Sequence, residues 1–260
     1  MIIEFFKYQG TGNDFVVLDN RDRKYSNLTE PQIHFLCDRK FGIGADGLMM
    51  LQNKDGYEFE MKYFNADGKE GSMCGNGGRC IVQFAKDLHL INHKTLFIAT
   101  DGAHEAVIAD SGMIELKMIN VQGIERRGSN SILNTGSPHY IQPVSLLSQT
   151  DVEREGKTLR YNDEFNERGI NVNFIEQIND VVHIRTYERG VEAETLSCGT
   201  GATAAALSVA KQSTEPQTIA VQTKGGLLMI RFTKTGENQF ENIWLCGAAT
   251  YVFKGTINLS

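Results

Sequence analysis

Proline is scarce in this chain, four residues in 260, and no low-complexity tract accompanies it, which argues against long disordered linkers. Long apolar runs are missing too. No stretch approaches the roughly 18 consecutive apolar residues of a membrane helix. Positive charge is not in excess. Lys and Arg number 26 against 32 Asp and Glu, a formal charge of −6, which argues against a nucleic-acid-binding surface. The opening residues, MIIEFFKYQGTGNDF, show no basic stretch followed by an apolar core, so no secretory leader is expected. Cysteine is sparse and odd in number, five residues. That suits free thiols in a reducing compartment better than a disulfide framework. A soluble, cytoplasmic protein is expected, with neither membrane nor nucleic acid as partner. No CxxC pair occurs and Cys74 and Cys80 are too widely spaced for a zinc knuckle, so no metal is expected. The scattered lysines make no positional case for a pyridoxal-linked one, so no cofactor is expected either.

What is present is a repeat. Residues 72–86 read SMCGNGGRCIVQFAK and residues 197–211 read SCGTGATAAALSVAK. Cys74-Gly75-Asn76-Gly77 matches Cys198-Gly199-Thr200-Gly201 position for position, and each match runs into a helical stretch ending in Ala-Lys. Asn65-Ala66-Asp67-Gly68 precedes the first cysteine, and Tyr187-Glu188-Arg189-Gly190 precedes the second. The Ala-rich run after Cys198 predicts a helix that is apolar nearly all round and hence buried on most sides. Each cysteine is thus expected at or just before a helix N-terminus. Unpaired backbone N–H groups and the positive dipole end favour anions there, and a thiol ionises more easily than in the open chain. A chain of this length forms one large domain or two ordinary ones, and the repeat favours two.

Short strands dominate the rest. Ile2–Phe6 and Phe15–Asp19 are strand-like, joined by a glycine-rich turn, Gln9 to Asp14, that suits a hairpin or backbone contact with a small ligand. Thr29-Glu30-Pro31 starts a helix reaching about Arg39. Gly42, Gly44 and Gly47 form a GxGxxG-like pattern, but it precedes a strand instead of linking strand to helix, so a dinucleotide fingerprint is excluded. Tyr57–Phe64 alternates apolar with charged residues as a half-buried strand, and Ile170–Ile175 alternates so that Asn171 and Asn173 would face a cleft. Residues 144–161 are expected to be partly helical. Many short strands with two central helices predict an α+β fold in which curved, mostly antiparallel sheet wraps each helix.

If the two units present their thiols to one ligand, a thiolate can take a proton from one face of a carbon while a thiol gives one to the other. The outcome is stereochemical inversion. Helix N-termini would hold a carboxylate and the charge that develops with loss of the α-proton. Glu188 and Arg189 suit an amino and a carboxylate group. The alternatives are structural thiols, or one cysteine with His139 as its base, which would leave the other cysteine unexplained. Cys37 and Cys246 read as core.

The segments FKYQGTGNDFVVLDN, FGIGADG, FNADGKEGSMCGNGGRC, TGSPHY, GINVNF, YERGVEAETLSCGTGATAAA and GAATYVFKG, in this order and over nearly the whole chain, resemble the diaminopimelate epimerase family. The resemblance implies a pyridoxal-independent isomerase that interconverts LL- and meso-2,6-diaminopimelate on the route to lysine and peptidoglycan. It implies two pseudo-symmetric domains, residues 1–119 with 247–260 and residues 120–246. It leaves a homodimer open as the assembly. Carried over by motif, Cys74 and Cys198 are the proton-transfer pair, and His139 with Glu188 is polar support near the thiols. Asn13, Asn65, Gly75, Asn76 and Asn171 are implied substrate contacts, as are Glu188, Arg189, Gly199 and Thr200. The sequence departs from the family at Ser137, where Asn is frequent, and at Gly47, where some members carry Gln. The nearest alternatives are a racemase of proline or hydroxyproline type and a non-catalytic small-molecule binding protein of the same fold.

Overall fold

The computed structural model describes residues 1–259. Two compact units emerge, one from Met1–Leu116 joined by the residues from Ala248 onward, the other from Lys117–Gly247.

In the first unit, β1 (Ile2–Gly10) and β2 (Asn13–Asp19) form a hairpin. Its two-residue turn, Thr11-Gly12, has φ of 52° and 84°, the left-handed pair that matches strand twist. Helix α1 (Glu30–Cys37) leads to β3 (Gly47–Gln52), parallel to β2, and β4 (Glu60–Asn65) returns antiparallel. Helix α2 (Gly75–Asp87) then crosses to β5 (Lys94–Ala99), which meets β4 in parallel and continues antiparallel through β6 (Gly102–Ile108) and β7 (Ile114–Lys117). The C-terminal strand, Thr250–Asn258, pairs antiparallel with β1. Helix α2 is the centre of the unit, with Gly77 lying against Phe15, Met49 and Met61.

The second unit repeats this order. A hairpin of β8 (Glu125–Arg127) and β9 (Asn130–Asn134) precedes β10 (Pro138–Pro143). Helix α3 (Val152–Arg160) connects β10 to a parallel neighbour, β11 (Asn171–Ile178), and β12 (Val181–Glu188) returns antiparallel. After β13 (Ala193–Thr195), helix α4 (Gly199–Ser208) crosses to β14 (Gln217–Thr223), parallel to β12. Antiparallel β15 (Gly226–Gly236) and β16 (Gln239–Gly247) close the set. The α4 residues Ala202 and Ala204–Leu207 are buried among Ile141, Ile184, Val221, Ile230 and Leu245 of the surrounding strands. Small side chains let the sheet approach this helix on nearly every side.

The fold is therefore α+β with two pseudo-symmetric units, each a mostly antiparallel sheet around one central helix. Each sheet also contains two parallel pairs, because a helix crossover must lie between parallel neighbours. The strand expected over 57–64 starts only at Glu60. Asp55 and Gly56 form a turn, with Gly56 at φ 83°, and this turn rather than the alternation sets the backbone of Tyr57. Among the described residues, no helix is long and apolar enough to cross a membrane.

Candidate active site

Cys74 is the N-cap of α2, with φ −93° and ψ 133°, and Cys198 is the N-cap of α4, with φ −119° and ψ 112°. Both backbones are extended at the cysteine, and both carbonyls accept the first intrahelical bond, from Gly78 at 2.7 Å and from Ala202 at 2.9 Å. Neither sulfur caps its own helix. The first-turn N–H groups of Gly75, Asn76 and Gly77, and of Gly199, Thr200 and Gly201, precede the first intrahelical donor. They form the positive end expected of an anion site.

In the first unit, Cys74 is half-buried and its Sγ donates to Oδ1 of Asn13 at 3.6 Å. Asn13 starts β2 directly after the hairpin turn, so the two left-handed residues place it beside the helix start. Asn76 is fully buried and donates to the same oxygen at 3.4 Å. Asn65 ends β4 with an exposed side chain. At Gly47, an added Cβ would stand 2.7 Å from the Phe64 carbonyl oxygen and from the Tyr63 ring. Tyr63 fills the space that a longer side chain would use.

In the second unit, Cys198 is 8% exposed and its Sγ lies 3.4 Å from Oγ1 of Thr200. Thr135 donates to the Thr200 carbonyl at 2.8 Å and fixes the first turn of α4. Glu188 ends β12 and accepts from Thr195 Oγ1 at 2.8 Å. Asn171 spans three partners: Nδ2 donates to Ser137 Oγ at 2.8 Å and to the Pro138 carbonyl at 3.1 Å, and Oδ1 accepts from the Arg189 N–H at 2.9 Å. The Arg189 guanidinium is exposed and donates to the Arg168 carbonyl at 3.1 Å and to Ser137 Oγ at 3.4 Å. The amides of Asn171 and Asn173 are buried. They bind the protein's own groups instead of standing open as the alternation suggested. The shorter hydroxyl of Ser137 still reaches both Asn171 and Arg189.

His139 is fully buried, and burial drives its pKa down to about 3, with the Arg189 charge acting in the same sense. Its Nδ1 faces Nδ2 of Asn173 at 3.1 Å, and its Nε2 has no hydrogen-bond acceptor among the described residues. Asn173 occupies one ring nitrogen, and nothing among the described residues bonds the other. Asn173 was not singled out as a site residue, yet it holds His139 and accepts from Thr186 at 2.9 Å. The alternation in residues 170–175 was the signal that could have found it. Among the described residues, no cluster of three His, Cys, Asp or Glu stands ready for a metal.

Comparison with known proteins agrees with the sequence motifs. The family profile described as diaminopimelate epimerase matches residues 5–121 and 131–252. A relative in Flavobacterium psychrophilum, named diaminopimelate epimerase, is 48% identical and covers 98% of this chain and 100% of its own. Relatives of the same name in Chlorobaculum tepidum and Aquifex aeolicus are 42% and 36% identical, covering 96% and 98% of this chain and 99% and 98% of their own. Among solved structures, a phenazine biosynthesis protein of the PhzF family from Bacillus anthracis matches with a TM-score of 0.78 at 18% identity, covering all of both chains. A hydroxyproline epimerase from Agrobacterium vitis matches with a TM-score of 0.69 at 14% identity, covering 98% of this chain and 92% of its own. At such identities these structures share the fold alone. With its profile match across most of the chain and its full-length relatives, this protein is a member of the diaminopimelate epimerase family.

Proposed function

We propose that the protein is a pyridoxal-independent epimerase of LL- and meso-2,6-diaminopimelate, in which Cys74 and Cys198 are the two proton-transfer groups. The observation that supports this reading most is the repeated placement of a cysteine as the N-cap of each unit's central helix. One sulfur, as thiolate, removes the α-proton and becomes a thiol. The other, as thiol, returns a proton to the opposite face and becomes a thiolate. The sulfurs exchange roles when the reaction reverses, so no net proton is consumed. The substrate carboxylate, and the negative charge that spreads onto it with loss of the α-proton, are stabilised by the first-turn N–H groups of α2 and α4. Arg189 and Glu188 bind charged ends of the substrate. Asn65 and Thr200 supply neutral hydrogen bonds, Asn13, Asn76 and Asn171 hold the groups around the substrate, and the lack of a side chain at Gly75 and Gly199 opens the backbone to it. His139, neutral and buried, serves as support and not as a base.

Placement in lysine and peptidoglycan precursor synthesis, in the cytoplasm, belongs to the same proposal. So does a homodimer, for which the exposed Tyr251, Val252 and Phe253 of the C-terminal strand offer apolar surface. Incubation with LL-diaminopimelate in D2O is expected to put deuterium at the α-carbon, whereas proline is expected to gain none. Label in proline alone would transfer the assignment to the racemase class, and label in neither would favour a binding protein. Cys74→Ala and Cys198→Ala are each expected to abolish epimerisation, and a full rate in either variant would end the paired-thiol reading.

A further inference from the structure

The hydrogen bond at Cys74 is governed by two charged groups, neither of which makes that bond. An asparagine amide can turn either end toward a neighbour, and the two ends have opposite meaning for a thiol. An oxygen accepts from S–H and favours the protonated form, whereas an NH2 donates and favours the thiolate. At Asn13 both ends are constrained. Nδ2 donates to Oδ2 of Asp46 at 2.6 Å, and a carboxylate only accepts. Oδ1 accepts from Nδ2 of Asn76 at 3.4 Å. Asn76 is itself oriented, because its Oδ1 accepts from Arg79 at 3.0 Å and from Thr11 Oγ1 at 3.3 Å, and a guanidinium only donates. Arg79 is fully buried and cannot swing away. Asp46 accepts from the Asp14 N–H at 3.2 Å and is held by Arg39 at 2.8 Å. The two amides thus form a directed chain from guanidinium to carboxylate, and the oxygen in its middle faces sulfur.

We propose that Asp46 and Arg79 are positioning residues that lock Asn13 with its carbonyl oxygen on Cys74, so that this sulfur rests as the thiol, the proton-giving form. The significance for catalysis rests on the reading of Cys74 as a proton-transfer group, but the lock itself does not. Catalysis in which Cys74 gives its proton starts from the resting state. The reverse direction must first move that proton.

The test is the pH dependence of iodoacetamide alkylation of the full-length protein without substrate, with the Cys74 peptide quantified by mass spectrometry. In Asp46→Asn the new side chain can donate as well as accept, so one of the two constraints on Asn13 is released, the amide turns more readily, and the Cys74 midpoint is expected to fall by about one pH unit, about tenfold in thiolate fraction near neutrality. Asp46→Glu keeps an obligatory acceptor and is expected to retain the wild-type midpoint. Loss of a negative charge would by itself lower the midpoint, so the same change is also made in an Asn13→Ala background. There the lock cannot act, and only the smaller shift from the lost charge is expected to remain. An unchanged midpoint in Asp46→Asn, or an equal shift in the Asn13→Ala background, would overturn the proposal. Protection of buried Cys37 and Cys80 reports that each variant is folded, and Asp46→Ser replaces Asp46→Asn if that variant is not. Activity of Cys74→Ser, measured separately, tests the proton-transfer role, so lock and role can fail independently.

Discussion

Asn173 fixes the protonation state of His139. Its Nδ2 lies within hydrogen-bond distance of the Tyr140 carbonyl, the Asn171 carbonyl and Nδ1 of His139, at 3.0, 3.2 and 3.1 Å, while its Oδ1 accepts from Thr186. The two carbonyls require an NH2 at that end of the amide, so Nδ1 is the acceptor and the imidazole proton sits on Nε2.

This has a pH signature. His139 titrates near 6.5 in the unfolded chain and at about 3 in the fold, so between those values the unfolded state holds the extra proton. Its contribution to stability is complete above about pH 6.5 and is lost as pH falls toward 3, with a limiting slope of about 1.4 kcal/mol per pH unit. Urea denaturation of His139→Gln is expected to show a shallower fall from pH 7 to pH 4 than the parent. Parallel curves would show that His139 does not titrate on unfolding.

A second acid limb belongs to Asp14. Burial works against its charge, but hydrogen bonds from Arg39 and Lys7 outweigh it and hold the carboxyl at about 2. The stabilisation is present above about 3.8 and is lost as pH falls through about 2. Asp14→Asn is therefore expected to be less stable at pH 7 but to lose less on acidification below pH 4, by the same urea assay. The window separates it from His139.

Matching glycines of the repeat are not equivalent. A Cβ at Gly201 would stand 2.5 Å from Oδ1 of Asn173, a held oxygen, whereas one at Gly77 would stand 3.2 Å from Sδ of Met49, which is flexible. Gly201→Ala is expected to cost about 1–3 kcal/mol and to disturb His139. Gly77→Ala should fall within about 1 kcal/mol of the parent, since Ala also favours the helix. Equal thermal shifts in the two variants would contradict this.

Asn171 and Ser137 also separate. Asn171→Ala strands the Arg189 N–H, whereas Ser137→Ala leaves Asn171 its bond to the Pro138 carbonyl. If Arg189 binds substrate, KM should rise on the order of tenfold in Asn171→Ala, from a lost contact worth about 1–1.5 kcal/mol, and less in Ser137→Ala. Steady-state kinetics with similar KM in both variants would count against Asn171 as the element that holds Arg189.

Much of this was legible from local pattern. The Cys-Gly-x-Gly repeat, the alanines of α4 and the alternation of β11 each encode one element, because each reports a backbone period or a cap. The partners of those elements were less visible. Asp46 looked like part of a glycine-rich loop, Arg79 like one residue of a helix, and Asn173 like a neighbour of Asn171. Their roles depend on which residues distant in sequence meet at a hydrogen bond, and no period carries that information. The same holds for His139, whose ring meets the buried amide of Asn173 across two neighbouring strands.

The C-terminal strand returns to β1, and the Leu259 N–H donates to the Met1 carbonyl at 2.8 Å. The whole second unit is thus spliced into the first as an uninterrupted insert. During synthesis the insert has all its strands while β1 still shows a bare edge, ready to pair with any passing chain. A truncation that removes those last residues should harm solubility out of proportion to its length.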